Sequence, residues 1–197
     1  GYILTNGKCS VCESLTYSLG GTETTCKSCS GCSACSTTTG ICTKCKAGYK
    51  LENGKCNACG SMTYSLGGTA TTCTSCSSSC SSCDNTNGKC IDCKPGYKFT
   101  SSTGICTECG SMTYSTGGTS TTCKACDSTS CTACDNTNGK CTSCNSGYGF
   151  DSTNGICTQC TSGTASPGGT NTCEQCLEGT YATLGSSTCM KCKAGNY

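Results

Sequence analysis

Residues 56–106 read CNACGSMTYSLGGTATTCTSCSSSCSSCDNTNGKCIDCKPGYKFTSSTGIC. Four Cys-x-x-Cys doublets stand in this stretch, at Cys56, Cys73, Cys80 and Cys90, and Cys106 opens a fifth. The same order returns on either side. Doublets begin at Cys9, Cys26, Cys32 and Cys42 before it, and at Cys123, Cys131, Cys141, Cys157, Cys173 and Cys189 after it. All 30 cysteines belong to such doublets, with none left over. The period is 47 residues, then 50, then 51, and a doublet is missing between Cys176 and Cys189. Self-similarity at this period marks a repeat architecture. It divides the chain into residues 1–8, the tail of a preceding repeat, then 9–55, 56–105 and 106–156 as cysteine-rich repeats 1 to 3. Residues 157–197 form a shortened fourth repeat.

Each full repeat carries three kinds of loop. The first holds Gly-Gly: ESLTYSLGGTETT (13–25), GSMTYSLGGTATT (60–72) and GSMTYSTGGTSTT (110–122). Tyr and Thr on either side of a Gly-Gly turn predict a small β-hairpin. The second has six residues, STTTGI (36–41) and DNTNGK (84–89, 135–140), where Asn-Gly signals a tight turn. The third opens with Gly-Tyr, as in KAGYKLENGK (46–55), KPGYKFTSSTGI (94–105) and NSGYGFDSTNGI (145–156), and alternates around a turn. No segment keeps a helical period over 11 or more residues. The expected fold is small, disulfide-rich, mostly β-hairpin and loop. Its repeats should stack as an elongated, ladder-like rod with negligible helix.

Composition explains why cysteine must hold such a chain. Leu, Ile, Val and Phe together number 15 in 197 residues, too few for a conventional core. The net charge is only +2, so charge repulsion does not keep the chain open. A bridge closing a loop of about 15 residues contributes about 3 kcal/mol in the chain-entropy description. Several per repeat can replace the missing burial, provided the compartment keeps disulfides oxidised. The expected location is therefore extracellular, secreted or at the cell surface. The segment shows no signal peptide and no apolar run long enough to span a membrane, and any leader or anchor is expected outside it. The 13 lysines are scattered among acidic residues with no basic stripe, which argues against nucleic acid as a partner. Ser and Thr make up about a third of the chain and offer many O-glycan sites, whereas no Asn-x-Ser/Thr sequon occurs.

The tyrosines follow the repeat. Tyr17, Tyr64 and Tyr114 precede Gly-Gly, with Tyr181 in a related place. Tyr2, Tyr49, Tyr97 and Tyr148 follow a glycine, and Tyr197 sits one residue further on. Aromatics are the largest buried area available here, so each ring is expected to cover a neighbouring disulfide and link successive rungs. The competing expectation is an exposed aromatic stripe for carbohydrate or partner contact.

These doublets, with the Gly-Tyr that follows them in CKAGYKLENGKC (45–56) and CKPGYKF (93–99), resemble the furin-like, growth-factor-receptor cysteine-rich repeat. CLEGTYATLGSSTCMKCKAGNY (176–197) is similar to the ephrin-receptor-like variant. The Thr/Ser/Gly-rich filler with dense Cys-x-x-Cys also looks like protist cysteine-rich surface antigens, such as ciliate immobilisation antigens and diplomonad variant-specific surface proteins. The furin-like pattern implies interleaved pairs followed by single-loop pairs. Carried over, it implies Cys29–Cys35, Cys32–Cys42, Cys45–Cys56 and Cys59–Cys73. It continues with Cys76–Cys83, Cys80–Cys90, Cys93–Cys106 and Cys109–Cys123, then Cys126–Cys134, Cys131–Cys141, Cys144–Cys157 and Cys160–Cys173. The ends add Cys12–Cys26 and Cys176–Cys189. Cys9 and Cys192 remain, for bridges between units or outside the segment. A second scheme joins Cys9–Cys26, Cys12–Cys29, Cys32–Cys42 and Cys35–Cys45, and strands Cys189 and Cys192 in one doublet. Sequence alone does not decide connectivity.

Several chemistries were weighed against this structural reading. The doublets at Cys9 and Cys26 are spaced like a four-cysteine zinc ribbon. Fifteen doublets, however, cannot form complete four-cysteine sites without one over, and there is no histidine. Thioredoxin-like work needs one privileged doublet at a helix N-terminus, not many near-equivalent copies. Nucleophilic catalysis with histidine as base has no histidine to use. Asp84, Asp135 and Asp151 precede turns, and DNTNG shares part of a calcium loop. The bidentate Glu and ligand spacing are missing, so Asx-type turns are expected. No catalytic, cofactor-binding or metal residue is predicted, and the chain is not expected to be an enzyme.

The expected role is structural, as a surface coat, stalk or fibrous filament. The competing role is an extracellular binding or adhesion module that recognises a receptor or glycan. Variation between repeats is mostly Ser/Thr exchange, which favours structure. Gly1 to Cys9 resembles the tail of a Gly-Tyr loop, and Cys192 to Tyr197 the head of one. The expected partners are further repeats of the same chain or identical copies joined head-to-tail. Cys192 then seeks a partner beyond Tyr197 or Cys9 of the next copy, and Cys9 one before Gly1.

Overall fold

The computed structural model describes residues 1–193. The head of the loop that follows Cys192, and the ring of Tyr197, lie outside the described residues. Twenty-four short strands pair two by two, and no helix occurs among the described residues. The chain forms two compact units. One comprises Gly1–Asp92 with Thr103–Ile105; the other comprises Cys93–Ser102 with the residues from Cys106 onward.

Local chemistry sets each hairpin. Tyr49–Glu52 pairs antiparallel with Lys55–Ala58 across Asn53-Gly54, whose φ angles are 50° and 71°. Two left-handed residues at a two-residue turn match the twist of the flanking strands, and Asn-Gly is the pair that adopts them most easily. Tyr2–Thr5 and Lys8–Val11 repeat this arrangement around Asn6-Gly7. In the second unit, Tyr148–Asp151 pairs with Ile156–Gln159 over a longer loop that ends in the left-handed Gly155. The doublets pair as well. Cys32–Cys35 runs against Cys42–Cys45, and Cys131–Cys134 against Cys141–Cys144, each with a register shift.

The Gly-Gly loop differs from its expected hairpin. Thr63-Tyr64 pairs with Thr74-Ser75, beyond Cys73, rather than with the threonines beside the glycines. Thr16-Tyr17 with Lys27-Ser28 and Thr113-Tyr114 with Lys124-Ala125 do the same. The glycines are drawn away because their backbone bonds go to another loop, as described below.

The core is made of sulfur. All buried apolar residues except Ala165 and Ala182 are cysteines, whereas Leu66 is 76% and Leu177 80% exposed. Fourteen disulfides join Cys12–Cys26, Cys29–Cys35, Cys32–Cys42, Cys45–Cys56, Cys59–Cys73, Cys76–Cys83 and Cys80–Cys90 in the first half. The second half carries Cys93–Cys106, Cys109–Cys123, Cys126–Cys134, Cys131–Cys141, Cys144–Cys157, Cys160–Cys173 and Cys176–Cys189. Cys9–Cys26 and Cys12–Cys29 of the second scheme do not occur. Cys9 and Cys192 carry free thiols. Around the bridges lie the half-buried side chains. Tyr17 and Leu51 pack on Cys29, Cys32 and Cys42, and Met112, Tyr148 and Phe150 pack on Cys131, Cys141, Cys144 and Cys157.

Candidate functional site

The most regular feature of the molecule is a joint between successive loops. The amide of Cys45 donates to the carbonyl of Gly68, and that of Gly68 donates back to Cys45, each at 2.8 Å. Cys93 with Gly118, and Cys144 with Gly169, make the same two-way exchange. The first glycine of each pair lets the backbones approach. A Cβ on Gly67 would stand 2.7 Å from the carbonyl oxygen of Cys45 and the amide nitrogen of Ala47. On Gly117 and Gly168 it would stand 2.6 and 2.7 Å from the carbonyl oxygens of Cys93 and Cys144. Real Cβ atoms do not come so close, and the φ angles of 80°, 83° and 87° also favour glycine.

A serine two residues earlier shapes the loop. The hydroxyl oxygens of Ser65, Ser115 and Ser166 accept from the amides of Gly67, Gly117 and Gly168 at 3.0, 3.1 and 3.2 Å. These serines are buried, and the bond satisfies a polar group that water does not reach. Sequence reading missed them, although Ser precedes Gly-Gly at this offset in TYSLGG, TYSTGG and TASPGG. Neighbouring backbone bonds complete the joint. Gly48 donates to Ser65 and Leu51 to Ala70, as Gly147 donates to Ser166 and Phe150 to Asn171.

The tyrosines that precede Gly-Gly form a second contact. A Cβ on Gly40, Gly88 or Gly139 would fall within 2.7, 2.5 and 2.5 Å of the rings of Tyr17, Tyr64 and Tyr114. Each of these rings lies over the turn glycine of the following loop and is half-buried. Tyr2 and Tyr181, in contrast, are 59% and 46% exposed.

The acidic residues serve turns. Asp84 accepts from the amide and hydroxyl of Thr86 and from the Asn87 side chain; Asp135 does so from Thr137 and Asn138. These donors favour the charged carboxylates and hold their pKa values below the ordinary range, the threonine hydroxyl contributing most. Asp151 is held low chiefly by Asn154. Asp127 falls to about 2, through the hydroxyl of Ser130 first and that of Thr129 second. Glu23 also falls to about 2, through Lys27 at 2.8 Å and then Ser18.

The cysteines spaced like a zinc ribbon are separated by pairing, because Cys12 joins Cys26 while Cys29 joins Cys35. Three sulfurs do converge at Cys32, Cys42 and Cys56, and again at Cys131, Cys141 and Cys157, within 4.8 Å of one another. All six are oxidised in bridges, and a bridged sulfur is not the thiolate that binds zinc. Open grooves of about 420 Å³ and about 380 Å³ lie beside Met112, Asp135 and Asn136 and beside Met62, Asp84 and Asn85. No protein-family model matches the sequence, and no curated protein matches it.

Proposed function

We propose that this chain is an extracellular structural protein, a disulfide-stapled repeat rod that builds a surface coat, stalk or fibrous filament. The observation that carries this reading is the recurrence of one backbone joint, Cys45 with Gly68, Cys93 with Gly118 and Cys144 with Gly169. Such a joint links each loop to its neighbour by main-chain bonds and glycine contacts and depends little on the surrounding side chains. That tolerance suits a module repeated for length. Repeats that touch only their neighbours build quasi-one-dimensional objects. The cysteine content supports a secreted or cell-surface location. The furin-like repeat and the protist surface antigens are the families this reading points to. It assigns no enzymatic activity.

The expected partners are further repeats of the same kind or copies of the chain itself. O-linked glycans fit the exposed threonines of the Gly-Gly loops. Thr71, Thr72, Thr121 and Thr122 are exposed, and their hydroxyls make no hydrogen bond among the described residues. The grooves beside Met62 and Met112 favour the second reading, an adhesion module for a receptor or glycan. Solution scattering tests the first. A rod gives a radius of gyration well above the about 16 Å of a compact 197-residue globule, and a value near 16 Å refutes it.

A further inference from the structure

We propose that the face formed by Cys9, Gly20 and Gly21 docks a second copy of this chain through its Cys192-Lys193-Ala194-Gly195 segment, with a disulfide from Cys192 to Cys9. This rests on the structural reading above and names the contact through which copies join.

The face is a joint with one side empty. Cys9 pairs in register with Leu4, as Cys56 does with Leu51 and Cys157 with Phe150. Cys56 and Cys157 are bridged to Cys45 and Cys144, the cysteines that also exchange backbone bonds with Gly68 and Gly169. One incoming cysteine thus serves both the sulfur and the Gly-Gly loop. At the first repeat neither is served: the Cys9 thiol is free and exposed. Gly20 and Gly21 hold φ angles of 88° and 71°, against 80° and 67° at Gly67 and Gly68. The Ser18 hydroxyl oxygen accepts from the Gly20 amide at 3.0 Å, as in the occupied joints. Yet nothing lies within 4 Å of a Cβ placed on either glycine. The loop therefore keeps the docking conformation with nothing docked, and little ordering remains to oppose binding.

The occupant is written in the chain. Cys192-Lys193-Ala194-Gly195 repeats Cys45-Lys46-Ala47-Gly48, the segment seated on Gly67-Gly68. Ala194 and Gly195, outside the described residues, enter by identity alone. The Cys192 thiol is free. Its amide already donates to Gly179 at 2.8 Å, which leaves its carbonyl to accept from Gly21. Cys160 sets the precedent: its amide donates to Gly147 while its carbonyl accepts from Gly185 at 2.8 Å. One copy carries one face and one segment, so the contact is heterologous and propagates head-to-tail. In forming the bridge, the two thiols lose two protons and two electrons. Glutathione disulfide takes these up by exchange and leaves as two glutathione molecules.

The test is incubation of the 197-residue protein in a glutathione redox buffer, read by non-reducing gel and peptide mapping. The expected result is a ladder of covalent oligomers linked Cys9 to Cys192, abolished in Cys192→Ser. Gly20→Ala places a methyl where the incoming backbone must sit. It should slow the ladder about tenfold or more, as overpacking against a backbone does. In that variant, alkylation of Cys9 by iodoacetamide should keep its rate and the Cys12–Cys26 bridge should stay intact. Monomers with Cys9 and Cys192 capped by glutathione overturn the proposal. So does a ladder that Gly20→Ala leaves unchanged, which marks indiscriminate thiol pairing. Scattering separates the two readings. An extended particle that does not cross-link overturns the docking alone. A compact particle that still forms the Cys9–Cys192 ladder supports the docking and overturns the rod.

Discussion

The ring of Tyr64 occupies the space that a side chain at residue 88 would need. A Cβ on Gly88 would come within 2.5 Å of ring carbon Cε1 and 2.6 Å of Cδ1. Gly88 also sits at φ 77°, so two separate penalties oppose any other residue there. The same pair recurs as Tyr17 with Gly40 and Tyr114 with Gly139.

Gly88→Ala should destabilise the oxidised protein by about 2–4 kcal/mol, combining about 1–2 for the left-handed backbone with about 1–3 for overpacking. In a Tyr64→Ala background the same change should cost only the backbone part. Denaturant titration of the four proteins, under non-reducing conditions, measures the coupling. Additive effects would show that ring and turn do not touch.

The two glycines of a joint should respond differently. A Cβ on Gly67 meets the backbone of Cys45 to Ala47, whereas one on Gly68 meets nothing within 4 Å. Both have positive φ, 80° and 67°. Gly68→Ala should therefore cost about 1–2 kcal/mol, and Gly67→Ala about 1–3 kcal/mol more. Amide exchange at Cys45 should speed up more in Gly67→Ala, because the Cys45 amide donates into the joint. Equal exchange in the two variants would contradict the assignment.

Reduction and chelation should part company. With cysteines supplying nearly all the buried apolar residues, reductant should abolish the β signal in circular dichroism. A strong chelator alone should leave it unchanged. Unfolding by chelator without reductant would establish a structural metal in place of the bridges.

Acid should act late and locally. The Asp127 and Glu23 carboxylates have pKa values lowered to about 2, so each favours the folded state while it is charged. Their contributions are complete above the ordinary carboxylate range near pH 4 and are lost as pH falls through about 2. Side-chain carboxyl chemical shifts should report an Asp127 midpoint about 2. Ser130→Ala, which removes the leading donor, should move that midpoint upward. A midpoint near 4 in the unmodified protein would show that the turn hydrogen bonds do not form in solution.

The sequence by itself determined the scaffold and its local turns. Doublets at a 47–51 residue period, too few large apolar side chains and Asn-Gly at residues 53 and 54 already imply a disulfide-held array of hairpins. These are matters of composition and near-neighbour chemistry: a left-handed turn needs Asn-Gly whatever lies elsewhere. Asp84 and Asp135 were legible as turn residues for the same reason, since their donors lie two and three residues away. Tertiary structure decided the rest. Thirty similar cysteines admit many pairings, and each bridge depends on where the chain brings two sulfurs together. The Gly-Gly pair looks from sequence like the tip of its own hairpin. In space Gly68 bonds to Cys45, 23 residues earlier, and Tyr64 pairs with Thr74, past the bridge that closes the loop. The offset between Ser65 and Gly67 was in the sequence, but its purpose was not. A buried hydroxyl declares its role only once the fold shows which amide it faces and which backbone the shaped loop must admit.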